Sequence, residues 1–187
     1  NIKSGTISKS DYSKRSGSQS TDLGDILPHD KMAEQAILGA IIIQNTILPQ
    51  ILDIINTEDF FSPANQCIFS AMQEMASESP PIPIDELTLL RQLESRQKLE
   101  QTGGVEYLNE LSQKTPVAEN AEFYAHIVRE KGQLRDIILT AHEVAKRGQE
   151  GSTDNISEFI DEATDRLRSI DERSRLRRYS HLKEILA

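Results

Sequence analysis

The chain has 187 residues, 37% of them hydrophobic, and a formal net charge of −9. That length suits one domain with tails, and an acidic body repels nucleic acid and favours protein partners or plain solubility. A single cysteine, Cys67, excludes an intramolecular disulfide framework and points to a reducing compartment.

The charge is unevenly spread. Residues 28–172 hold 12 basic and 26 acidic side chains, whereas residues 173–187 hold five basic and one acidic. Residues 1–27 form a leader with seven serines, three glycines and few apolar side chains. Such a segment buries too little surface to offset its ordering entropy, so it is expected to be disordered or extended. It shows no signal-peptide pattern and does not begin with Met, as expected of a numbering that starts inside a longer protein or after processing.

Pro28-His29-Asp30 opens the first helix, with Asp30 as cap and Glu34 in the first turn, where a carboxylate suits the positive helix end. Met32, Ala36, Ile37, Ala40 and Ile41 share one face. The helix is expected to end near Gln44-Asn45, and a second to run from Leu48 to Ile55. Gln44, Asn45, Pro49, Gln50 and Asp53 are costly in hydrocarbon, so Ala36–Ile55 reads as core helices rather than a membrane span.

Ser62-Pro63 pairs a cap with a first-turn proline and starts a helix to Ser77, with Ile68, Phe69, Met72 and Met75 inward. Ser79–Pro83 is a breaker, and Asp85 opens a helix burying Leu89, Leu90 and Leu93. After the turn Thr102-Gly103-Gly104, Val105, Tyr107, Leu108 and Leu111 begin another helix, and Thr115-Pro116 repeats the cap-then-proline device.

The stretch Val117–Lys146 carries Phe123, Tyr124, Ile127, Val128, Leu134, Ile137, Ile138, Ala141 and Val144 at helical spacing. Thirty residues extend roughly 45 Å. Gly148 and Gly151 mark a turn, and Asn155 with Glu158 resembles a capping box. Ile156, Ile160, Ala163, Leu167 and Ile170 then step by 4, 3, 4 and 3, a heptad seam. Ile137 and Ile138 stand about 100° apart around the axis, so the apolar arc is wider than one partner helix covers. Either a second copy or the chain's own head takes the rest. Ile127, Leu134, Ile138, Ile156, Ile160 and Leu167 are the candidate self-association residues.

No strand-like alternation persists, so the fold class is all-α: a small head of about six helices over residues 28–116, then a long antiparallel hairpin over 117–172. A basic linker and the start of a short linker helix follow over residues 173–187.

Candidate chemistry is sparse. His29-Asp30 begins a metal phosphohydrolase pattern, but His126 and His142 stand sixteen apart with no acidic partner at a fitting spacing. Glu58-Asp59 and Asp85-Glu86 are adjacent carboxylates near helix starts, and adjacent helical positions cannot flank one substrate bond. No GxxxxGK[ST] occurs, so ATP hydrolysis is not assigned to this chain. No catalytic, cofactor or metal residue is expected. With no Trp and no interleaving of aromatic and basic residues, little direct nucleic-acid binding is expected.

Leu27-Pro28-His29 with Ala33-Glu34-Gln35-Ala36-Ile37-Leu38-Gly39 resembles the opening of the N-terminal domain of DnaB-type bacterial replicative helicases. Later blocks keep the order: Glu58-Asp59-Phe60-Phe61, Ile68-Phe69-Ser70-Ala71-Met72, Gly103-Gly104-Val105-Glu106-Tyr107-Leu108 and Tyr124-Ala125-His126-Ile127-Val128. Ser180–Leu186 looks like the helix that links this domain to the RecA-like motor. The resemblance implies paired hairpins building a dimer or hexamer (trimer-of-dimers) collar around passing DNA. It also implies contact with the primase C-terminal domain and with a loader in some members. ATP and Mg²⁺ belong to the motor, outside this chain, and the setting is bacterial cytoplasm or plastid stroma. Tyr107, Ile138 and Val144 become the expected primase contacts, and Leu182, Ile185 and Leu186 the linker-helix anchor, since so short a helix needs a partner surface. A small His-Asp hydrolase, or an acidic adaptor imitating the helicase domain, are the alternatives.

Overall fold

The computed structural model describes residues 27–114, 118–151 and 155–185, the last fifteen as helical backbone. Leader residues 1–26, the Thr115-Pro116 cap, Val117 and Leu186 lie outside the described residues. Seven α-helices and no strand occur among the described residues. They are α1 (Lys31–Ile43), α2 (Leu48–Ile54), α3 (Pro63–Ser77), α4 (Glu86–Ser95), α5 (Gly104–Lys114), α6 (Ala121–Glu150) and α7 (Ile156–Ile185).

Helix α1 is the centre of the head. Asp30 caps it by accepting from the Ala33 amide at 3.0 Å. Nine of its thirteen residues are buried, from Ala33 to Ile42, because α3, α5 and α6 all pack on it. A helix enclosed on several sides has to be apolar nearly all round. Met32 departs from the expected inner face and is 80% exposed. Side chains lean toward the helix N-terminus, so one in the first turn projects past the packed layer.

The chain bends by 118° between α1 and the segment Asn45–Ile54. Asn45 holds the corner: its amide nitrogen donates to Ile41 O at 3.1 Å, and its side chain pairs with both the N–H and C=O of Ile84 at 2.5 Å. That pairing ties the proline-rich segment 78–85 back to the head.

The remaining core follows the sequence pattern. Ile68, Phe69, Met72 and Met75 of α3 are fully buried, as are Leu89 and Leu93 of α4, and Leu90 is half-buried. Phe60 packs on Phe69 with ring centroids 4.9 Å apart. The Asp85–Thr88 capping box opens α4. Gly103 (φ +90°) and Gly104 (φ +72°) make the turn into α5, and Leu108 and Leu111 close the core. No single helix among the described residues is long and apolar enough to cross a membrane.

The two long helices form the hairpin, packed on each other, with α7 also reaching α2. Gly151 (φ +64°) ends α6. No break separates hairpin from linker near residue 172, because α7 runs through to Ile185. Residues 156–185 contain neither Gly nor Pro, and Arg, Glu and Leu are strong helix formers.

Candidate interaction surface

Helix α6 has two halves. In the first, Ala121, Ala125, Val128, Arg129, Gly132 and Arg135 are buried against the head. Beyond Arg135, no described α6 residue is buried. The junction is a close approach followed by an anchor. A Cβ on Gly132 would stand 2.9 Å from Asp59 Oδ1 and 3.2 Å from Asp59 Cα, so glycine is what lets the helix lie flat there. One turn on, the Arg135 guanidinium donates to Pro28 O at 2.8 Å and to Asp59 O. It also lies over Phe61, 5.6 Å from the ring centroid, while His29 stacks on that ring at 4.3 Å. Burial pushes Arg135 below the usual guanidinium range, and the charges of Glu34, Asp59 and Asp136 oppose that shift.

Glu34 is the second anchor. It is 2% exposed, and its carboxylate accepts from Phe61 N at 2.7 Å, Ser62 N at 3.3 Å and Asn65 Nδ2 at 2.8 Å. The sequence reading gave it only a helix-end charge. The missed signal was its place between Ala33 and Ile37 on a helix with no polar face to receive it.

Tyr107 joins the same network. Its hydroxyl donates to Asn65 Oδ1 at 2.6 Å and accepts from Gln35 Nε2 at 3.4 Å. Burial pushes its hydroxyl above the ordinary value of 10.0. The ring is half-buried and lies against Gly103, where a Cβ would come within 2.9 Å of Tyr107 Cβ. Ile127 also packs on the head core.

The other candidates sit on the projecting hairpin. Ile138 and Val144 are half-buried. Ile156, Ile160 and Leu167 of α7 are 70%, 57% and 44% exposed, and Leu134, Ile137 and Phe123 of α6 are also exposed. At about 100° per residue, Phe123, Ile127, Leu134, Ile137, Ile138 and Ala141 fall within about 100°, opposite the face that buries Ala125 and Gly132. Ile170 ends the α7 seam buried, and α7 also reaches α2. The head therefore takes part of the apolar arc, and a stripe along the hairpin stays open. Leu182 and Ile185 belong to the helical backbone of α7.

Charged pairs link the two arms. Arg147 meets the Glu162 carboxylate through two hydrogen bonds of 2.8 Å, and Arg166 meets Glu143 at 2.7 Å. The Arg147 guanidinium also lies over Phe159 at 5.5 Å. Hydrogen bonding to Arg147 brings Glu162 down to about 2. Sequence reasoning passed over this network, although opposite charges four apart on both arms were its visible signal.

Among the described residues, no group of three or more His, Cys, Asp or Glu side chains could hold a metal ion. His29 stacks on Phe61 and meets Leu27 O through Nδ1 at 2.9 Å, while Asp30 caps α1.

A helical head extended by a two-helix arm with an open apolar stripe defines an all-α domain. The family model described as DnaB-like helicase N terminal domain matches residues 26–130, more than half of the chain, and the chain belongs to that family. It is similar to the replicative DNA helicase DnaB of Geobacillus stearothermophilus, 37% identical over 161 residues that cover 86% of this chain and 35% of that protein. The replicative DNA helicase DnaC of Bacillus subtilis is 32% identical, over 88% of this chain and 36% of that protein. The chain thus spans about a third of the length of these relatives. A crystal structure of the N-terminal domain of DnaB helicase from Mycobacterium tuberculosis superposes with a TM-score of 0.69 at 29% identity, covering 76% of this chain and 99% of that one. A DnaB-like replicative helicase, described with its interactions with primase, superposes with a TM-score of 0.61 at 25% identity, covering 75% of this chain and 31% of that one.

Proposed function

We propose that the chain is the collar domain of a replicative DNA helicase, which assembles through its hairpin and presents a docking surface to primase. The observation that carries this reading is the open apolar stripe of Ile156, Ile160 and Leu167 with Leu134 and Ile137, on an arm that projects past the head. Exposed apolar surface of this kind marks an interface. Membership of the family supports a helicase as the parent protein, and the primase interactions of a structural relative support that partner.

In this reading paired hairpins build a dimer, and three dimers build a hexameric ring through which DNA passes. Ile138 and Val144 are the primase-contact residues that remain partly accessible on the hairpin. Tyr107, half-buried on the head, is the third primase-contact residue in this reading. A helicase loader is a further partner, and α7 leads through Leu182 and Ile185, with Leu186 next in sequence, toward a motor that uses ATP and Mg²⁺. Bacterial relatives support a bacterial cytoplasmic setting.

Sedimentation at micromolar concentration tests assembly. The wild-type chain is expected above monomer mass, and Ile138→Asp or Ile160→Asp to lower it. A strict monomer indifferent to both substitutions overturns the reading. Titration with a primase C-terminal domain tests the partner: Val144→Asp is expected to weaken binding at least tenfold with helical content unchanged.

A further inference from the structure

The two arms of the hairpin are joined by a ladder of charges with a defined sense. Arg147 pairs with Glu162, and Glu143 pairs with Arg166, one turn further from the tip on each arm. Arg166 also bridges Glu162 at 2.9 Å, so the four side chains form one network. Both rungs are centred on the same point in the sequence.

The apolar contacts specify the arm-to-arm register only weakly. The seam Ile156, Ile160, Ala163, Leu167, Ile170 presents a similar set of residues after a one-turn shift. Three of its members are largely exposed and so do not interlock with α6. Near the tip the packing is open: a Cβ at Gly148 would meet only the Phe159 ring at 3.9 Å.

The charges do distinguish registers. Sliding α7 one turn toward the tip would set Arg147 against Arg166 and Glu143 against Ile170. Sliding it the other way would set Glu143 against Glu162 and leave Arg147 facing Glu158. Each slip exchanges two attractive rungs for at most one and adds a repulsive pair. Exposed ion pairs contribute little to stability, but opposite-sign pairs that become like-sign pairs on slipping select one alignment, as flanking charges do in coiled coils.

We infer that Glu143, Arg147, Glu162 and Arg166 fix the register of the hairpin arms and so decide which α7 residues stand beside the outer stripe of α6. The consequence for assembly rests on the self-association reading above; the register itself does not.

The test is a spin-label distance between the arms of the whole chain. Labels go on Ala141→Cys and Asp161→Cys, both exposed positions, in a Cys67→Ala background diluted with unlabelled chain. The half-swap Glu143→Arg with Arg147→Glu makes both native rungs repulsive. It is expected to displace the arms by one turn, about 6 Å along the axis, or to broaden the distribution. Adding Glu162→Arg and Arg166→Glu is expected to restore the wild-type distance. An unchanged distance in the half-swap overturns the inference, as does a folded full swap that fails to restore it. Sedimentation of Ile160→Asp in parallel separates the two claims. A shifted distance with unaltered sedimentation leaves the register standing and removes the self-association reading. The reverse pattern does the opposite.

Discussion

Arg135 donates a hydrogen bond to the backbone oxygen of Pro28, 107 residues earlier, at 2.8 Å. The contact fastens the start of the folded head to the midpoint of α6, where the helix leaves the core. Arg135→Ala would leave the Pro28 and Asp59 carbonyls without this donor. It is expected to lower unfolding stability by about 2 kcal/mol, within the range for an unsatisfied buried polar group, measured by urea denaturation. Arg135→Lys is expected to recover only part, because an ammonium lacks the flat fork that reaches two carbonyls and covers Phe61.

Glycines 132 and 148 of the same helix should respond with opposite signs. Gly132→Ala forces its Cβ to within 2.9 Å of Asp59 Oδ1 and 3.2 Å of Asp59 Cα. Lifting α6 there is expected to cost about 1–3 kcal/mol. Gly148→Ala meets only Phe159, at 3.9 Å, and is expected to gain up to about 1 kcal/mol from helix propensity. Thermal unfolding of the two variants beside wild type decides the matter; equal shifts would refute the close-approach account.

Glu34→Gln keeps the shape of the side chain and replaces an acceptor oxygen with a donor. Three donors converge on that carboxylate, from Phe61, Ser62 and Asn65, so the new amide confronts N–H groups with N–H. A loss of about 2 kcal/mol is expected, read by denaturant midpoint. A variant as stable as wild type would mean the network is dispensable.

The half-buried Tyr107 gives an alkaline signature. Its hydroxyl ionises above the ordinary 10.0 in the folded chain, since burial disfavours the phenolate. The unfolded chain therefore releases this proton first as pH rises. Stability from this group is complete below 10.0 and falls as pH climbs from there through the raised folded value. Tyr107→Phe is expected to cost about 1 kcal/mol at neutral pH through loss of the bond to Asn65, and to remove that part of the alkaline slope. The difference between the two stability–pH curves is the measurement.

Glu162 gives the acidic counterpart. Its folded value of about 2 lies below the ordinary 4.5 because Arg147 hydrogen-bonds the ionised form. Its contribution is present above 4.5 and is lost as pH falls from there through about 2. Carboxyl resonances followed by NMR should show Glu162 titrating at the acid end, and Arg147→Met should return it toward 4.5.

Local signals in the sequence were the readable ones. Asp30, Ser62 and Asp85 sit at helix starts, and their side chains accept from amides three residues on, as their residue types and spacing imply. Ile68, Phe69, Met72 and Met75 recur at helical spacing and are all buried. The residues that fasten the parts together were not readable. Glu34 finds its partners 27 to 31 residues away, and Arg135 finds Pro28 at 107. Such pairings depend on how helices stack, which no short window of sequence states. Met32 misled for a related reason: periodicity gives the face of a helix but not where along it the covering layer ends.

Ile170 is the buried end of the α7 seam, on a helix that also reaches α2. From that point α7 runs to its start at Ile156, an arm of roughly 21 Å joined to α6 by the charged pairs. A tilt of the paired arms by about 5° over that length would swing the tip by about 2 Å. A ligand that shifts α2, which α7 reaches, would thus be felt as lever motion at the tip.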